Sequence, residues 1–536
     1  MEYKSTKRVL IVASENGALR GGKAGGVGDV IAHLPGALAN EGMKVTTVIP
    51  SYGFLHKKNK VCSQQIVKFP FCGRREEAAI YKVRATKPEK NVSHFVVENM
   101  WIRGDPIYSH DLGHRPFATD ASKFAMFCSA VGCLIADGVG AFKNIDIIHC
   151  HDWHAATLLL LRDIHPNFAS LQKIKTVFTI HNLALQGTRP MQGDESSLLA
   201  WFPEFDDSQD DLRSRVFSRY VDRRYDMPCY TPMAAGIALA DVVNTVSPSY
   251  ALEILTPSDH VHGYSGGEGL ESILQSVEDK GRLFGILNGI DYSNGGALPR
   301  WPFSKLRAHI EKNLARLAEV NWTDGVFASR QQSLERIQKW KSRRVKFIAT
   351  CIGRIVDQKL RLFLGEGSDG KTGLESTLEL LAERGGVLIV QGIGVRELEE
   401  KLDEAMKRHE NFLFIRDYSE AVARRLYTSG DLFLMPSLYE PCGISQLYSM
   451  RAGQPALVHH IGGLKDTVRH GIDGFAFDGS SIVEKVDGMT ETFKTAMGLF
   501  FHDKKAWRRI GLEASQVRFL WSNTAQKYIR DIYLDR

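Results

Sequence analysis

Short apolar runs rich in β-branched residues alternate along this chain with longer amphipathic stretches. The runs fall at residues 9–13, 44–49, 146–150, 175–180 and 242–246, and again at 345–351, 387–391, 413–415 and 432–435. Helix-like patterns separate them, for example at 30–41 and 155–164. Strands that alternate with helices in this way predict βαβ units, so we expect an α/β fold built on parallel sheets.

The alternation pauses once, between about residues 291 and 344, where a charged helical region follows Trp301 and Pro302. A chain of 536 residues with 43% hydrophobic content is also longer than one core usually supports. We therefore predict two domains, at residues 1–285 and 286–515, and a terminal helix within residues 516–536.

Composition narrows the classes of function. The 68 basic residues nearly balance the 62 acidic ones, and the net charge of +6 is small for this length, which predicts no nucleic-acid partner. The eight cysteines lack paired CxxC spacing, which favours reduced thiols and no zinc site. The apolar runs are strand-sized, and the first is too short for a signal peptide. We expect a cytoplasmic protein that binds no membrane.

The segment that begins at Glu440 places a carboxylate shortly after the apolar run at 432–435. In open α/β sheets, ligands bind at the carboxyl ends of the strands, where a loop leads into a helix. Pro441 and Gly443 predict a sharp turn, and a helix starting near Ile444 would direct its free amide groups at a ligand. This arrangement suits a polyhydroxylated or anionic ligand.

A second pattern of the same kind follows closely. Residues 455–458 are typical of a strand, and Gly462-Gly463-Leu464 of a turn that opens a helix. Two glycines allow the backbone to approach a ligand, and a helix start favours phosphate oxygens, so a diphosphate is a candidate ligand. The alternative is an ordinary turn, because Gly-Gly is common before helices.

With these motifs the chain resembles the bacterial and plant glycogen and starch synthases, which are retaining glucosyltransferases. The motifs that carry the resemblance are Glu440-Pro441-Cys442-Gly443, Gly462-Gly463-Leu464, Lys23-Ala24-Gly25-Gly26-Val27-Gly28-Asp29, His151-Asp152-Trp153-His154, His181-Asn182 with Gln186-Gly187, and Asn288-Gly289-Ile290-Asp291. They span nearly the whole chain. The resemblance implies a GT-B fold, in which two Rossmann-like domains face each other across an active-site cleft and the final helix crosses back to the first domain.

The resemblance assigns residues of the first half to three roles. Lys23 and His181 would act in catalysis, the former at the donor phosphates and the latter near the reacting carbon of the transferred glucose. The residues implied in donor binding are Gly25, Gly26, Asp29, Asn182 and Asn288. The residues implied in acceptor binding are Tyr108, Asp152, Trp153 and His154. Trp153 and Tyr108 are equally typical of core packing.

In the second half, Arg354 and Lys359 follow the strand predicted at 345–351. Two cations there suit a leaving diphosphate, whose charge develops in the transition state, although solvated surface cations are the alternative. The resemblance implies that both cations hold the nucleotide phosphates and that Glu440 binds the glucose hydroxyls. The other residues implied in donor binding are Tyr418, Cys442, Gly443, Ile444, Gly462, Gly463 and Leu464.

The chain departs from the family pattern at four positions, Ala24, Leu360, Val395 and Ile461. The family usually has Thr, Gly, Asp and Thr there, so we expect changes in donor affinity. Backbone amides make most contacts in such loops, and substitution of their side chains therefore need not abolish binding.

Residues 365–372 also fit the P-loop pattern Gly-x-x-x-x-Gly-Lys-Thr, which taken alone indicates an ATPase. A P-loop follows a strand, whereas the resemblance implies a helix at residues 360–364. We therefore interpret the match as a polar loop without phosphate chemistry.

These patterns predict transfer of glucose from a nucleotide sugar to the 4-hydroxyl of an α-1,4-glucan such as glycogen or starch, with retention of configuration. ADP-glucose is the expected donor and UDP-glucose the alternative. No cofactor or metal is expected, because cationic side chains would stand beside the diphosphate. Two alternatives stay open, namely a related glycosyltransferase with another sugar nucleotide or acceptor, and a non-catalytic glucan-binding homologue.

Overall fold

The chain folds into two compact units. The computed structural model describes residues 6–534 apart from 105, 110, 112, 114, 207–213, 215, 217, 218, 293–298 and 319–323. The first unit comprises Met1–Pro257, Gly266–Gly289 and Leu520–Arg536. The second unit comprises Ser258–Ser265 and Ile290–Phe519.

The first unit is built on a nine-stranded sheet with the order β12-β11-β7-β6-β1-β2-β5-β4-β3. The strands from β12 to β5 pair in parallel, and β4 and β3 add an antiparallel edge. A small antiparallel sheet has the order β8-β10-β9. The strands are β1 (Arg8–Val12), β2 (Lys44–Pro50), β3 (Val61–Phe71), β4 (Arg74–Val83), β5 (Val92–Glu98), β6 (Ile147–His151), β7 (Lys175–Ile180), β8 (Arg189–Pro190), β9 (Val221–Asp222), β10 (Cys229–Tyr230), β11 (Val242–Thr245) and β12 (Leu283–Gly285).

Helices flank this sheet because the parallel strands are apolar on both faces and need cover on each. The α-helices of the first unit are Gly26–Asn40, Leu55–Lys58, Ala118–Asp137, Trp153–Ile164, Leu198–Trp201, Pro232–Leu239, Pro248–Glu253, Glu271–Glu278 and Trp521–Lys527, and a π-helix covers Tyr528–Tyr533. Short 3₁₀ helices lie at Met100–Ile102, Gly140–Phe142, Pro166–Lys173 and Pro203–Asp206. The terminal helices pack into the core of this unit through residues such as Tyr528 and Tyr533.

One helix within the described ranges, Ala118–Asp137, is long and apolar enough to cross a membrane. In the structure, 89% of its most apolar window is buried. Its side chains, among them Phe124 and Phe127, belong to the core of the first unit, so it packs as a core helix.

The second unit is built on a six-stranded parallel sheet with the order β15-β14-β13-β16-β17-β18. The strands are β13 (Phe347–Ile352), β14 (Gly386–Gln391), β15 (Phe412–Ile415), β16 (Leu432–Met435), β17 (Ala456–His459) and β18 (Gly474–Phe477). The α-helices are Phe303–Ala318, Asp324–Lys339, Asp357–Leu364, Gly373–Arg384, Arg396–Arg408, Glu420–Ser429, Ser445–Arg451, Gly462–Thr467, Ile482–His502 and Lys504–Gln516, and a 3₁₀ helix lies at Trp340–Ser342. This order is that of a Rossmann sheet, and the parallel part of the first sheet repeats it.

The division of the chain differs in one respect from the predicted domains. The first long unit ends at Gly289, close to the predicted boundary at 285, but Ser258–Ser265 packs with the second unit. Long-range contacts join this segment to the second unit, among them two hydrogen bonds in which the buried Lys485 ammonium donates to the carbonyls of His262 and Gly263 at 2.7 and 3.3 Å.

Candidate active site

Four of the predicted site residues or their loops lie where the strand order of a sheet reverses. In the first unit the reversal lies between β1 and β6, and in the second between β13 and β16. Ligands of open α/β sheets bind at such points, at the carboxyl ends of the strands. The loop that carries Lys23 follows β1 and Asp152 follows β6, while Arg354 follows β13 and Glu440 follows β16.

Glu440 and Lys359 form an ion pair at the reversal in the second unit. The Lys359 Nζ atom contacts the Glu440 Oε2 atom, and both side chains are largely buried. Lys359 lies in the first turn of Asp357–Leu364, and Gln358 beside it donates to the Tyr439 carbonyl at 2.9 Å. The helix after β13 and the loop after β16 are therefore joined at the carboxylate that we predicted to bind the sugar.

The Glu440 loop also packs against the loop after β17. The Gly463 amide donates to the Glu440 carbonyl at 2.9 Å, and a Cβ atom on Gly463 would lie 2.3 Å from the Cys442 oxygen. Gly443 has a φ of +75°, a conformation that glycine adopts at low cost. The glycines at Gly443 and Gly463 are thus required by local geometry.

Gln446, which the sequence analysis did not single out as a site residue, joins these two loops. Its amide group donates to the carbonyls of Cys442 and Gly443 at 3.3 and 3.1 Å and to the Thr467 hydroxyl at 3.2 Å. The sequence signal that could have identified Gln446 was its position in the motif that begins at Glu440.

Some of the backbone amides that we predicted to bind the donor already donate hydrogen bonds within the protein, and others do not. Gly463 donates to Glu440 and Leu464 donates to Ile461, so a phosphate at this turn must share or replace those bonds. Gly443 and Ile444 donate their amides to no acceptor within the described ranges. Gly462 begins the helix Gly462–Thr467, and Cys442 is buried.

Arg354 and Tyr418 both follow strands of the same sheet, β13 and β15, at the carboxyl end of each strand. Arg354 is exposed, makes no ion pair with any described residue, and lines a pocket with Gly353, Lys359 and Ser437. Tyr418 follows β15 and is 56% exposed. Ile393 and Val395, in the loop after β14, are also exposed, which makes the carboxyl end of this sheet partly apolar. A cationic group beside an apolar surface can accommodate a phosphate and a base.

In the first unit, Glu15 organises the glycine-rich loop that carries Lys23. Its carboxylate accepts the amides of Ala24 and Gly25 at 2.5 and 2.6 Å and the Tyr108 hydroxyl at 2.9 Å. Burial raises the pKa of Glu15. Glu15 was not predicted as a site residue, and its only sequence signal was a carboxylate between a strand and a glycine loop. Tyr108 is held through its hydroxyl by Glu15 and Ser14.

The predicted catalytic lysine of this loop is paired with its neighbour. Lys23 Nζ lies 2.7 Å from Asp29 Oδ1, and the lysine side chain is about half exposed. Gly25 is the N-cap of the helix that begins at Gly26, so this helix starts within the glycine-rich loop. The pair can open toward an anion because exposed ion pairs are weak.

Asp152 connects β6 to the end of β7. Its carboxylate accepts the amides of His181 and Asn182 at 2.7 and 3.4 Å, and its own backbone has a φ of 57°. Burial raises the pKa of Asp152 to about 7. Burial also lowers the pKa of His181 to about 3, so His181 is neutral at physiological pH. Its ring bonds to His151 at 2.8 Å.

The remaining predicted acceptor residues are mostly buried. Trp153 is 3% exposed and packs against Phe124 and Gly187, which supports the core interpretation for this side chain. His154 is stacked on Trp153 and is also buried. Asn288 is buried after β12, and its Oδ1 atom has no hydrogen-bond partner within the described residues. The functional roles assigned to these residues stay predictions.

The segment that resembles a P-loop lies in a different setting from a phosphate site. Residues 357–364 before it form a helix instead of a strand. The Ser368 amide donates to the Asp487 carboxylate at 2.9 Å, and Lys371 pairs with Glu379 at 2.6 Å. Thr372 caps the next helix through a capping box with Glu375. The surrounding carboxylates would repel a phosphate.

No cluster of three His, Cys, Asp or Glu side chains suited to a metal occurs in the described part of the chain.

Comparison with known proteins agrees with this arrangement. The family model described as "Starch synthase catalytic domain" matches residues 8–276, and "Glycosyl transferases group 1" matches residues 370–496. The chain is 30% identical to a glycogen synthase of Exiguobacterium sibiricum over 522 residues, which cover 95% of each protein. It is also 30% identical to a glycogen synthase of Francisella philomiragia over 542 residues, covering 98% of this chain and 99% of the relative.

A solved structure shares the fold. The catalytic domain of Starch Synthase IV from Arabidopsis thaliana, bound to ADP and acarbose, superposes with a TM-score of 0.72 at 24% identity and covers 99% of each chain. The two Rossmann-like units, with their site residues at the strand-order reversals, define a glycosyltransferase of the GT-B class. Within that class the chain belongs to the glycogen and starch synthase family. It is a retaining glucosyltransferase of that family, which confirms the fold class and the enzyme class predicted from the sequence motifs.

Proposed function

We propose that the protein transfers glucose from ADP-glucose to the non-reducing 4-hydroxyl of an α-1,4-glucan, with retention at the anomeric carbon. Support comes from relatives named glycogen synthase along nearly the whole chain. The related starch synthase structure holds ADP and acarbose, a nucleotide and an oligosaccharide analogue. UDP-glucose is the alternative donor. We also infer a cytoplasmic location, with which eight free thiols agree.

The Lys359–Glu440 pair carries this proposal. A nucleotide sugar has an anionic diphosphate joined to a neutral polyol, and the pair offers a cation and a carboxylate side by side. Lys359 would turn to the diphosphate with Arg354, and Glu440 would accept the glucose hydroxyls. The unshared amides of Gly443 and Ile444 would bind further sugar oxygens.

The diphosphate would leave from the same face on which the acceptor hydroxyl attacks. Its phosphate oxygen would take the acceptor proton, since no described carboxylate stands as a clear nucleophile. Asp152 accepts two backbone amides instead. Arg354 and Lys359 would stabilise the charge that develops on the diphosphate, so we propose transfer without a metal. The neutral His181 would contribute a hydrogen bond to the transferred glucose.

The test is incorporation of labelled glucose into glycogen from ADP-glucose and UDP-glucose separately, in the presence of a chelator. We expect transfer by the wild type, and a loss of about 10²-fold or more in Glu440→Ala. A matched control is Glu379→Ala, because Glu379 forms an exposed ion pair with Lys371 in the same unit, away from the strand-order reversal.

Each outcome bears on a different part of the proposal. Transfer only from UDP-glucose would replace the donor and keep the enzyme class. Transfer that requires added Mg²⁺ would contradict the metal-free mechanism. No transfer from either donor by folded protein that still binds glycogen would favour a glucan-binding homologue.

A further inference from the structure

A pair of histidines lies behind the predicted sugar contact in the first unit. His151 is the last residue of β6, and His181 follows directly after β7. The His151 Nδ1 and His181 Nε2 atoms lie 2.8 Å apart, which is a hydrogen bond. His151 is fully buried, whereas His181 is partly exposed.

Both histidines are neutral, so one proton lies between the two bonded nitrogens. Burial lowers the pKa of His181 to about 3. Burial lowers the pKa of His151 as well, and the neighbouring His149 and His181 lower it further. In a neutral imidazole one nitrogen donates and the other accepts, which leaves two possible directions for the bond.

The surroundings of His151 favour one direction. Its Nε2 atom is buried and has no hydrogen-bond partner among the described residues. If His151 Nδ1 accepted, the proton would sit on Nε2 as a buried, unpaired N–H donor. In protein backbones, buried N–H groups without a partner are rarer than carbonyl oxygens with an unused lone pair, and we apply the same preference to the imidazole ring. The proton therefore belongs on His151 Nδ1, which donates to His181 Nε2.

The layer beneath fixes the His151 ring in this position. The rings of His149 and His151 are 4.1 Å apart between centroids. His149 is itself held by the Tyr533 hydroxyl at 2.8 Å and the Thr179 hydroxyl at 2.6 Å. Thr179 donates to Asn244 at 2.7 Å, so it must accept from His149. Each hydrogen bond of this layer therefore has one direction, and no residue of the layer supplies a partner for His151 Nε2.

We propose that His151 is a positioning residue that fixes His181 as the neutral tautomer with its proton on Nδ1. Because His181 Nε2 accepts from His151, Nδ1–H becomes the donor that His181 offers outward. His181 Nδ1 has no hydrogen-bond partner within the described residues, in keeping with a group left for a ligand. The contact with the transferred glucose rests on the proposed function, whereas the tautomer does not.

The test is nuclear magnetic resonance of the full chain labelled with ¹⁵N only in histidine, using long-range nitrogen–proton correlations that distinguish the two neutral tautomers. We expect His181, assigned by its loss in His181→Gln, to carry its proton on Nδ1. His151→Asn keeps an amide donor near the position of Nδ1 and should preserve this state. His151→Leu removes the donor and should release His181 into a mixture with the Nε2–H form.

Activity provides the second readout. His151→Leu should lower kcat about tenfold with little change in KM for the donor, as for one hydrogen bond made in the transition state, and His151→Asn should recover most of the rate. A His181 that carries its proton on Nε2 in the wild type would overturn the proposal, even if His151→Leu failed to fold. If His181 has the expected tautomer but the protein transfers no glucose, the proposed function is refuted and the positioning role of His151 stands.

Discussion

Gly463 is the position where one added methyl group would disturb the predicted donor site most directly. A Cβ atom there would lie 2.3 and 2.4 Å from the backbone oxygen and Cα atom of Cys442. Backbone atoms cannot rotate away as a side chain does, so the Glu440 loop would have to move. We expect Gly463→Ala to destabilise the second unit by about 1–3 kcal/mol and to lower glucose transfer. Urea unfolding and the transfer assay measure the two effects.

Gly498 supplies the matched control. It lies inside the helix Ile482–His502, and a Cβ atom there would meet nothing within 4 Å. Gly498→Ala should therefore stabilise the same unit by about 0.5–1 kcal/mol, because alanine favours the helix. Equal effects of the two substitutions would show that the contact between the Glu440 and Gly463 loops does not constrain the site.

At the scale of residues, the sequence analysis identified residues whose role a family motif implies, and it missed residues whose role appears only in the folded structure. Lys359 and Glu440 were both predicted, and the structure brings them together although 81 positions separate them. Glu15 and His151 were not predicted. Their significance comes from contacts with Tyr108 and His181, which only the folded sheet creates.

At the scale of elements, one buried lysine links a chain segment to a helix of the second unit. Lys485 is 5% exposed, and its ammonium donates to two carbonyls of the segment Ser258–Ser265. We expect Lys485→Met to free this segment, because the carbonyls lose a charged donor that is worth about 1.5–3 kcal/mol. Hydrogen–deuterium exchange of residues 258–265 should rise, while exchange in β13 should not change.

Lys494→Met is the control for this prediction. Lys494 lies on the same helix, Ile482–His502, but forms an exposed pair with Glu491 at 3.3 Å. Its replacement should leave exchange in residues 258–265 unchanged. Unaltered exchange in Lys485→Met would mean that other contacts, such as that of Ile482 with Gly263, suffice to hold the segment.

Strands that form continuous apolar runs were predictable, and strands without such a run were not. The central strands, such as β13 and β16, are continuous apolar runs because helices cover both faces of a parallel sheet. β3 has an exposed first half and lies at the sheet edge, so it lacks such a run and escaped prediction. The packing of Ser258–Ser265 also escaped, because its partner Lys485 lies more than two hundred residues away.

For the whole molecule, the two units differ in how many neutral histidines they bury. Within the described residues, the first unit holds six whose pKa burial lowers, namely His56, His94, His149, His151, His154 and His181. The described part of the second unit holds two, His459 and His460. The unfolded chain binds protons below about pH 6.5 at each of these histidines, whereas the folded chain does not.

The sign of the effect follows from these shifts. A histidine whose pKa is lowered in the folded state stabilises the fold above about pH 6.5 and loses that contribution as the pH falls. Asp152 acts in the opposite direction, since burial raises its pKa to about 7 and its penalty disappears as the pH falls below that value. Glu15 and Glu89 share this sign, because burial raises the pKa of each. In the first unit these six histidines outnumber the three carboxylic acids, so the first unit should lose stability on acidification sooner than the second.

Unfolding in urea at pH 7.5 and pH 5, followed by a brief deuteration pulse at one fixed pH, would report the stability of each unit separately. We expect the urea midpoint of β6 and β7 to fall more than that of β13 and β14. His94, whose pKa burial lowers to about 4, should account for about 2 kcal/mol of the difference at pH 5. His94→Asn should therefore flatten the pH dependence of the first unit, whereas His502→Asn, at an exposed position, should not. An equal fall in the urea midpoints of both units would contradict this prediction. It would show that their unfolding is coupled or that the buried carboxylic acids cancel the effect of the histidines on stability.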